Sequence, residues 1–252
     1  MAEINIIQEI EKTKDYLIRT YYNQRVTADN WHAQNKKVFG YFCSYVPEEV
    51  LYAADILPIR ILGHLNTLKK ADSHFQPFVC RLIRSSFDLG ICGSMDHLDG
   101  MVVPYTCDGM RMLFDAWNFH IQRHFSCLLD LPSSMDSDIN RKYFFKAQEE
   151  FRSTIENYIG HRIEDLKLAE SVKIYNHFRK LMKDLYLLRL RNRLPMTSTE
   201  FLKIYLGALT SPKSYFSREI SDLLILLDKW LKTAKQAPNE GRVKLHVSGS
   251  IV

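Results

Sequence analysis

The sequence predicts an α/β protein: an open, largely parallel sheet, followed by an all-helical region and then by the first strand of a second α/β domain. Three observations lead there. Short apolar runs alternate with helical patterns over residues 38–132. From about residue 138 the texture becomes wholly helical. After the linker-like Ala237-Pro238-Asn239-Glu240-Gly241, the apolar Val243, Leu245 and Val247 alternate with Lys244, His246 and Ser248, and Gly249 follows. The expected organisation is an N-terminal helix over 1–34, an α/β domain over 35–137 and a helical region over 138–236. A linker and the first strand of a second α/β domain, not itself built, occupy 237–252.

The elements follow in order. Residues 3–23 form an amphipathic helix striped by Ile4, Ile7, Ile10 and Ile18. Trp31 to Lys37 is polar and reads as a loop, and Val38 to Cys43 is a buried strand ended by Cys43. Pro47 suits the first position of a helix through Val50, Leu51, Ala53 and Ala54, and Glu48 and Glu49 suit its positive end. Leu57–Leu62 is a second strand and 81–91 a helix. Met101–Val103, bounded by Asp99-Gly100 and Pro104, is a third strand. Cys107–Gln122 is helical, and Phe125–Leu131 is a fourth strand stopped by Pro132. Helices are expected over 140–159, 164–194, 198–209 and 212–235. Thr197-Ser198-Thr199-Glu200 is a capping box with Met196 and Phe201 as its staple. Ser211-Pro212 reads as an N-cap followed by proline at the first helical position.

Composition excludes several classes. With 46% hydrophobic and 25% charged residues, the 252-residue chain can offset the entropy of ordering, so it is not disordered. Ten glycines and eight prolines exclude collagen-like and linker-like chains. The longest apolar runs, such as Leu223–Leu227, fall far short of the roughly 20 residues a bilayer requires, so no membrane partner is expected. The start, MAEINIIQEIEK, lacks a basic region followed by an apolar block. Five cysteines without a secretory signal suggest reduced thiols and a cytoplasmic location. The net charge of +5 is matched by one segment: His161 to Pro195 holds nine Lys/Arg against four Asp/Glu. A solvated helix face explains this most simply. A site for phosphate groups or a docking face for an acidic partner is the sharper alternative. No zinc finger, RRM or helix-turn-helix signature accompanies the charge, so no nucleic acid is expected.

Nucleotide-binding glycine motifs, the G-x-S-x-G elbow and H-E-x-x-H are all missing. The cysteines carry more information. Cys107 follows the third strand and begins a helix, where ligands collect in open α/β sheets and where a helix dipole favours a thiolate. Cys80 stands just before another helix, in Pro77-Phe78-Val79-Cys80-Arg81. Cys92 and Cys127 fall within apolar runs and read as core residues. The spacing of Cys80 and Cys107 leaves three readings open. They are inert thiols, part of a zinc site whose other ligands are not evident, or part of an iron–sulfur site that needs one more thiolate.

Two segments carry a resemblance. GYFCSYVPEEVLYAADILPIRILG (40–63) and FVCRLIRSSFDLGICGSMDHLDGMVVPYTCDGMRMLFDAW (78–117) resemble the benzoyl-CoA reductase / 2-hydroxyacyl-CoA dehydratase family. YFFKAQEEFRSTIENYIG (143–160) and LAESVKIYNHFRKLM (168–182) are similar to its helical region, and RVKLHVSGSIV (242–252) to the first strand of its second α/β domain. The resemblance implies an oxygen-sensitive enzyme whose subunits each hold a [4Fe-4S] cluster through three cysteines. By motif, two of these are Cys80 and Cys107, as metal and cofactor ligands, while the third has no counterpart here. It implies a homologous partner subunit, an ATP-hydrolysing Fe–S activator and an acyl-CoA substrate. The chemistry implied is radical: either dehydration of a 2-hydroxyacyl-CoA or reduction of the ring of benzoyl-CoA. Cys43 lies in a motif where the family often has cysteine, and Asp55 stands where the family usually has glycine. Three roles follow: a catalytic subunit or its N-terminal part, an electron-relay subunit, or a fragment without chemistry of its own. Cys80 and Cys107 are expected to converge near the carboxyl ends of the strands. The chain by itself is expected to retain a cluster poorly and to be inactive.

Overall fold

The computed structural model of the chain describes residues 2–121, 125–191 and 194–233. The strand expected over 242–248 lies outside them. The helices are α1 (Ala2–Tyr22), α2 (Gln24–His32), α3 (Glu48–Ala53), α4 (Arg81–Ile91), α5 (Asp108–His120), α6 (Asp138–Ile159), α7 (Asp165–Arg191), α8 (Ser198–Ala208) and α9 (Lys213–Thr233). The strands are β1 (Lys37–Tyr41), β2 (Ile56–Arg60), β3 (Gly100–Pro104) and β4 (Phe125–Leu129). The protein is α/β, with the four strands of the described residues parallel in the order β2-β1-β3-β4. Two compact units are present: Ala28–Leu168, and the described residues before and after it.

In the first unit both faces of the sheet are covered, which is why β3 is buried from end to end rather than alternating. Val38, Leu57, Ile59, Met101 and Val103 meet Ile83 and Phe87 of α4 and Leu113 and Trp117 of α5. On the opposite face Phe39, Tyr41, Ile56, Val102 and Leu129 meet Val50 and Leu51 of α3 and Phe151 and Ile155 of α6. Two glycines set how near α4 and α5 come. A Cβ on Gly90 would stand 2.6 Å from Trp117 and Ile121, and one on Gly109 would stand 2.6 Å from Ile83.

The second unit is a helical core formed by α1, α8, α9 and α7 from Ala169 onward. It is filled by Ile10, Leu17, Leu185, Ile204, Phe216, Leu223 and Leu227. Its best-defined local feature is the expected capping box: Thr197 Oγ1 accepts from Glu200 N–H at 3.2 Å, and Glu200 Oε2 accepts from Thr197 N–H at 2.6 Å. Met196 is buried and Phe201 packs against the same core. The buried Lys14 ammonium donates to Pro195 O at 2.7 Å and pairs with Glu200 at 2.9 Å and Glu11 at 2.8 Å.

Several sequence-based expectations need correction. The residues expected to open a loop at Trp31 instead continue a helix to His32, because Ala28 and Trp31 reach the core from an otherwise polar QRVTADNWH and Trp31 Nε1 donates to Asp55 O at 3.2 Å. Strand β1 stops at Tyr41, and Cys43 lies beyond it with φ 57°, a left-handed backbone that no strand can include. Pro47 is the N-cap of α3 rather than its first residue, since its ψ of 85° keeps it outside the helix. Helix α9 starts at Lys213: Pro212 O accepts from Phe216 N–H at 3.0 Å, and the Ser211 hydroxyl is buried without a hydrogen bond instead of capping. Cys92, at the C-cap of α4, is half-buried rather than a core residue, whereas Cys127, on β4, is half-buried and packs against the core as expected.

Candidate functional site

The order β2-β1-β3-β4 means that the chain leaves β1 toward one side, to β2, and then returns to the other side, to β3. Such a reversal opens a crevice outside the carboxyl ends of the two central strands. Here that crevice lies between the segments leaving β1 and β3. Cys43 follows β1 and Thr106-Cys107 follows β3, and the two segments meet: Cys43 Sγ is 3.5 Å from Thr106 Oγ1.

Cys107 is the N-cap of α5 in extended backbone, φ −164° and ψ 163°. Its carbonyl accepts from Met110 N–H at 3.0 Å, while its side chain makes no capping bond. Cys80 is the N-cap of α4, again with no side-chain capping bond, and its carbonyl accepts from Arg84 N–H at 3.2 Å. Both thiols are exposed. Each therefore begins a helix at its positive end, where a negative group gains about 0.3–1 kcal/mol. The closeness of Gly109 to Ile83 brings the first turns of the two helices together, so the two cysteines open neighbouring helices.

The loop that delivers Cys80 is anchored by α4 itself. Asp88 is buried and accepts from the backbone N–H groups of Lys69 (3.0 Å), Lys70 (2.7 Å) and Ala71 (3.0 Å), with His64 Nε2 at 3.2 Å. Burial pushes the Asp88 carboxyl up, but the three amides and His64 outweigh it and hold it below the usual carboxylate value. One and two turns before Asp88, Arg84 Nε donates to Val79 O at 3.1 Å and Arg81 to Leu65 O at 3.3 Å. Sequence reasoning missed this anchor. The signal was the Arg81, Arg84, Asp88 spacing, which puts three loop-holding side chains along one side of α4.

Beside Cys107 lies a cavity of about 730 Å³ whose walls include Tyr45, Tyr105, Asp130, Met135 and Phe144. Asp130 accepts a hydrogen bond from the Tyr143 hydroxyl, and Tyr105 OH donates to Asp108 at 3.3 Å. Cys127 belongs elsewhere: burial pushes its thiol up to about 11, which suits packing and not ligation. Among the described residues, no three His, Cys, Asp or Glu side chains are grouped to hold a metal ion. The basic segment places Lys173, Arg179, Lys180 and Lys183 on the exposed face of α7, opposite the buried Tyr175, Phe178 and Leu185.

The family model described as "2-hydroxyglutaryl-CoA dehydratase, D-component" matches residues 43–252. A benzoyl-CoA reductase subunit of Thauera aromatica is 31% identical over 226 residues, covering 89% of this chain and 58% of that protein. The (R)-phenyllactyl-CoA dehydratase beta subunit of Clostridium sporogenes is 24% identical, covering 82% and 54%. The beta subunit of (R)-2-hydroxyglutaryl-CoA dehydratase of Acidaminococcus fermentans is 25% identical, covering 100% and 64%. The chain thus spans a little over half the length of these relatives.

Proposed function

The chain belongs to the 2-hydroxyglutaryl-CoA dehydratase D-component family, and from that premise we propose that it serves a [4Fe-4S] acyl-CoA enzyme, with Cys80 and Cys107 as two of the cluster ligands. Relatives named as dehydratase and reductase subunits support an enzyme-subunit role with a homologous partner subunit. The observation that carries the cluster assignment is the state of the two thiols. Of the five cysteines, these two alone are exposed, and neither side chain is used as a cap although each starts a helix. Soft sulfur ligands at positive helix ends fit an anionic iron–sulfur group as a partial donor set, completed by at least one further thiolate.

Held by Cys80, Cys107 and a further thiolate, such a cluster would provide low-potential one-electron chemistry, recharged by an ATP-hydrolysing Fe–S activator, for dehydration or ring reduction of an acyl-CoA. The chain's own residues prepare the place. Asp88, Arg81 and Arg84 fix the loop before Cys80. Gly109 lets the start of α5 approach α4. Tyr45, Tyr105, Met135 and Phe144 give the neighbouring cavity apolar walls that exclude water from part of the crevice.

Anaerobic reconstitution of a complete subunit with iron and sulfide tests the assignment. Cys80→Ser and Cys107→Ser should each reduce retained iron to background after gel filtration, with the thermal midpoint unchanged because both sites are exposed. Cys92→Ser should keep the wild-type iron content. Undiminished iron in both of the first two variants refutes the ligand assignment.

A further inference from the structure

The cavity beside Cys107 has a charge pattern that the cluster assignment does not use. Its walls combine Tyr45, Tyr105, Leu131, Met135 and Phe144 with two carboxylates, Asp108 and Asp130. No lysine or arginine is among the described lining residues. Neither carboxylate is neutralised by a cation among the described residues: Asp130 is held by the Tyr143 hydroxyl and by Leu131 N–H at 3.0 Å, and Asp108 by the Tyr105 hydroxyl. The guanidinium of Arg111 lies 5.9 Å from the Tyr105 ring centroid and is not among the described lining residues. The volume of about 730 Å³ is ample for a small acyl group.

Resting on the acyl-CoA reading above, we infer that this cavity selects thioesters whose acyl group is uncharged, aromatic or aliphatic, and rejects those ending in a carboxylate. A neutral acyl chain exchanges water for ring faces, a thioether and a leucine side chain, which is favourable burial. A further carboxylate placed among the same walls loses its hydration, finds no cation among the described lining residues, and is repelled by Asp108 and Asp130 in partly excluded solvent. The discrimination is thus electrostatic exclusion, built from repulsion rather than from a better fit.

Butyryl-CoA and succinyl-CoA separate charge from shape, because a terminal methyl of the first is a carboxylate in the second and the CoA portions are identical. Direct binding of each to an anaerobically reconstituted complete subunit, with benzoyl-CoA as the aromatic member, is the measurement. Iron content is recorded on the same samples. Butyryl-CoA and benzoyl-CoA should bind at least about tenfold more tightly than succinyl-CoA. The double variant Asp108→Asn/Asp130→Asn should shrink that ratio severalfold by admitting succinyl-CoA, and raised salt should shrink it in the wild type. Met135→Arg, which adds a cation to the wall, should reverse the preference. Equal binding of butyryl-CoA and succinyl-CoA, or a ratio unmoved by both variants, overturns the inference. Retained iron with no thioester bound also overturns it while leaving the ligand assignment intact. Bound thioesters without iron, showing the expected ratio, support the inference even where the ligand assignment fails.

Discussion

The amino and carboxyl ends of β1 and β3 belong to the same two strands yet are treated oppositely. At the amino ends, Asp99 accepts from Val38 N–H at 2.8 Å, bonds His32 Nε2 at 2.7 Å and pairs with Lys37 at 3.2 Å. One carboxylate ties together α2, β1 and the turn into β3. At the carboxyl ends, Cys43 holds a left-handed φ of 57°, Cys107 leaves its thiol uncapped, and a cavity opens alongside. Left-handed backbone occurs at both ends, at Asn35 before β1 and at Cys43 after it, but the exposed Cys107 thiol lies at the carboxyl end. Strain of this kind persists only where the surrounding structure holds it. The Asp99 network of this sheet thus stands at the end opposite the crevice.

The sharpest way to break the comparison is chemical. With a thiol reagent at pH 8, Cys80 and Cys107 should label at least about a hundredfold faster than Cys127, whose thiol is both half-buried and raised to about 11. Comparable rates, read by mass spectrometry of the labelled peptides, would contradict the division. Next in size is Asp99→Ala, which leaves the Val38 amide, His32 and Lys37 without their acceptor and should lower stability by about 2 kcal/mol in urea unfolding. A loss below about 0.5 kcal/mol would show that the amino end is not the tied one.

A smaller effect is the acid limb of stability. For Asp99, burial raises the carboxyl pKa, but the Val38 amide, His32 and Lys37 prevail and lower it; Asp88 is lowered in the same manner by its amides. A carboxylate depressed in the folded state contributes stability that is fully present above its unfolded pKa of about 3.9 and is lost as pH falls through the folded value. Denaturation midpoints should therefore hold above about pH 5 and fall below about pH 4, and Asp99→Asn should flatten that fall. The smallest effect is expected at Asp55, which has a φ of 58° and pairs with Lys36 at 3.0 Å and Lys167 at 3.8 Å. Asp55→Gly relieves the left-handed backbone and removes two exposed ion pairs, so its midpoint should move by less than about 0.5 kcal/mol. A larger loss would give those pairs a weight that surface ion pairs seldom have.

What could be read in advance followed from local physics. Helix α4 was legible over Arg81–Ile91 because its apolar positions repeat at helical spacing and the residues before it forbid an earlier start. The capping box declared the start of α8, and Gly100 and Pro104 bounded β3. Helix α2 stayed hidden because only Ala28 and Trp31 of its nine residues serve the core, too few for a periodic signal. The strand-end position of Cys107 and the helix-start position of Cys80 were legible for the same reason as their elements. The cavity was not, because its walls come from the segments after β1, β3 and β4 and from α6. The Asp88 anchor left only the trace of the Arg81, Arg84, Asp88 spacing, because its partners are backbone amides 17 to 19 residues away that any sequence would offer.

Strand order also governs the sequence of events by which the sheet can assemble. Lys37 meets Ile56, 19 residues along the chain, whereas Phe39 meets Gly100, 61 residues along. Closing the longer loop costs roughly 1 kcal/mol more in chain entropy. The β1–α3–β2 crossover can thus form while the chain is still emerging and wait as a template. Strand β3, which leads into Thr106 and Cys107, then docks against an edge already in place, so the crevice comes into being only with that long-range pairing. Folding itself delays the meeting of Cys43 with Thr106, and keeps the two halves of the reactive edge apart until the remainder of the sheet can hold them.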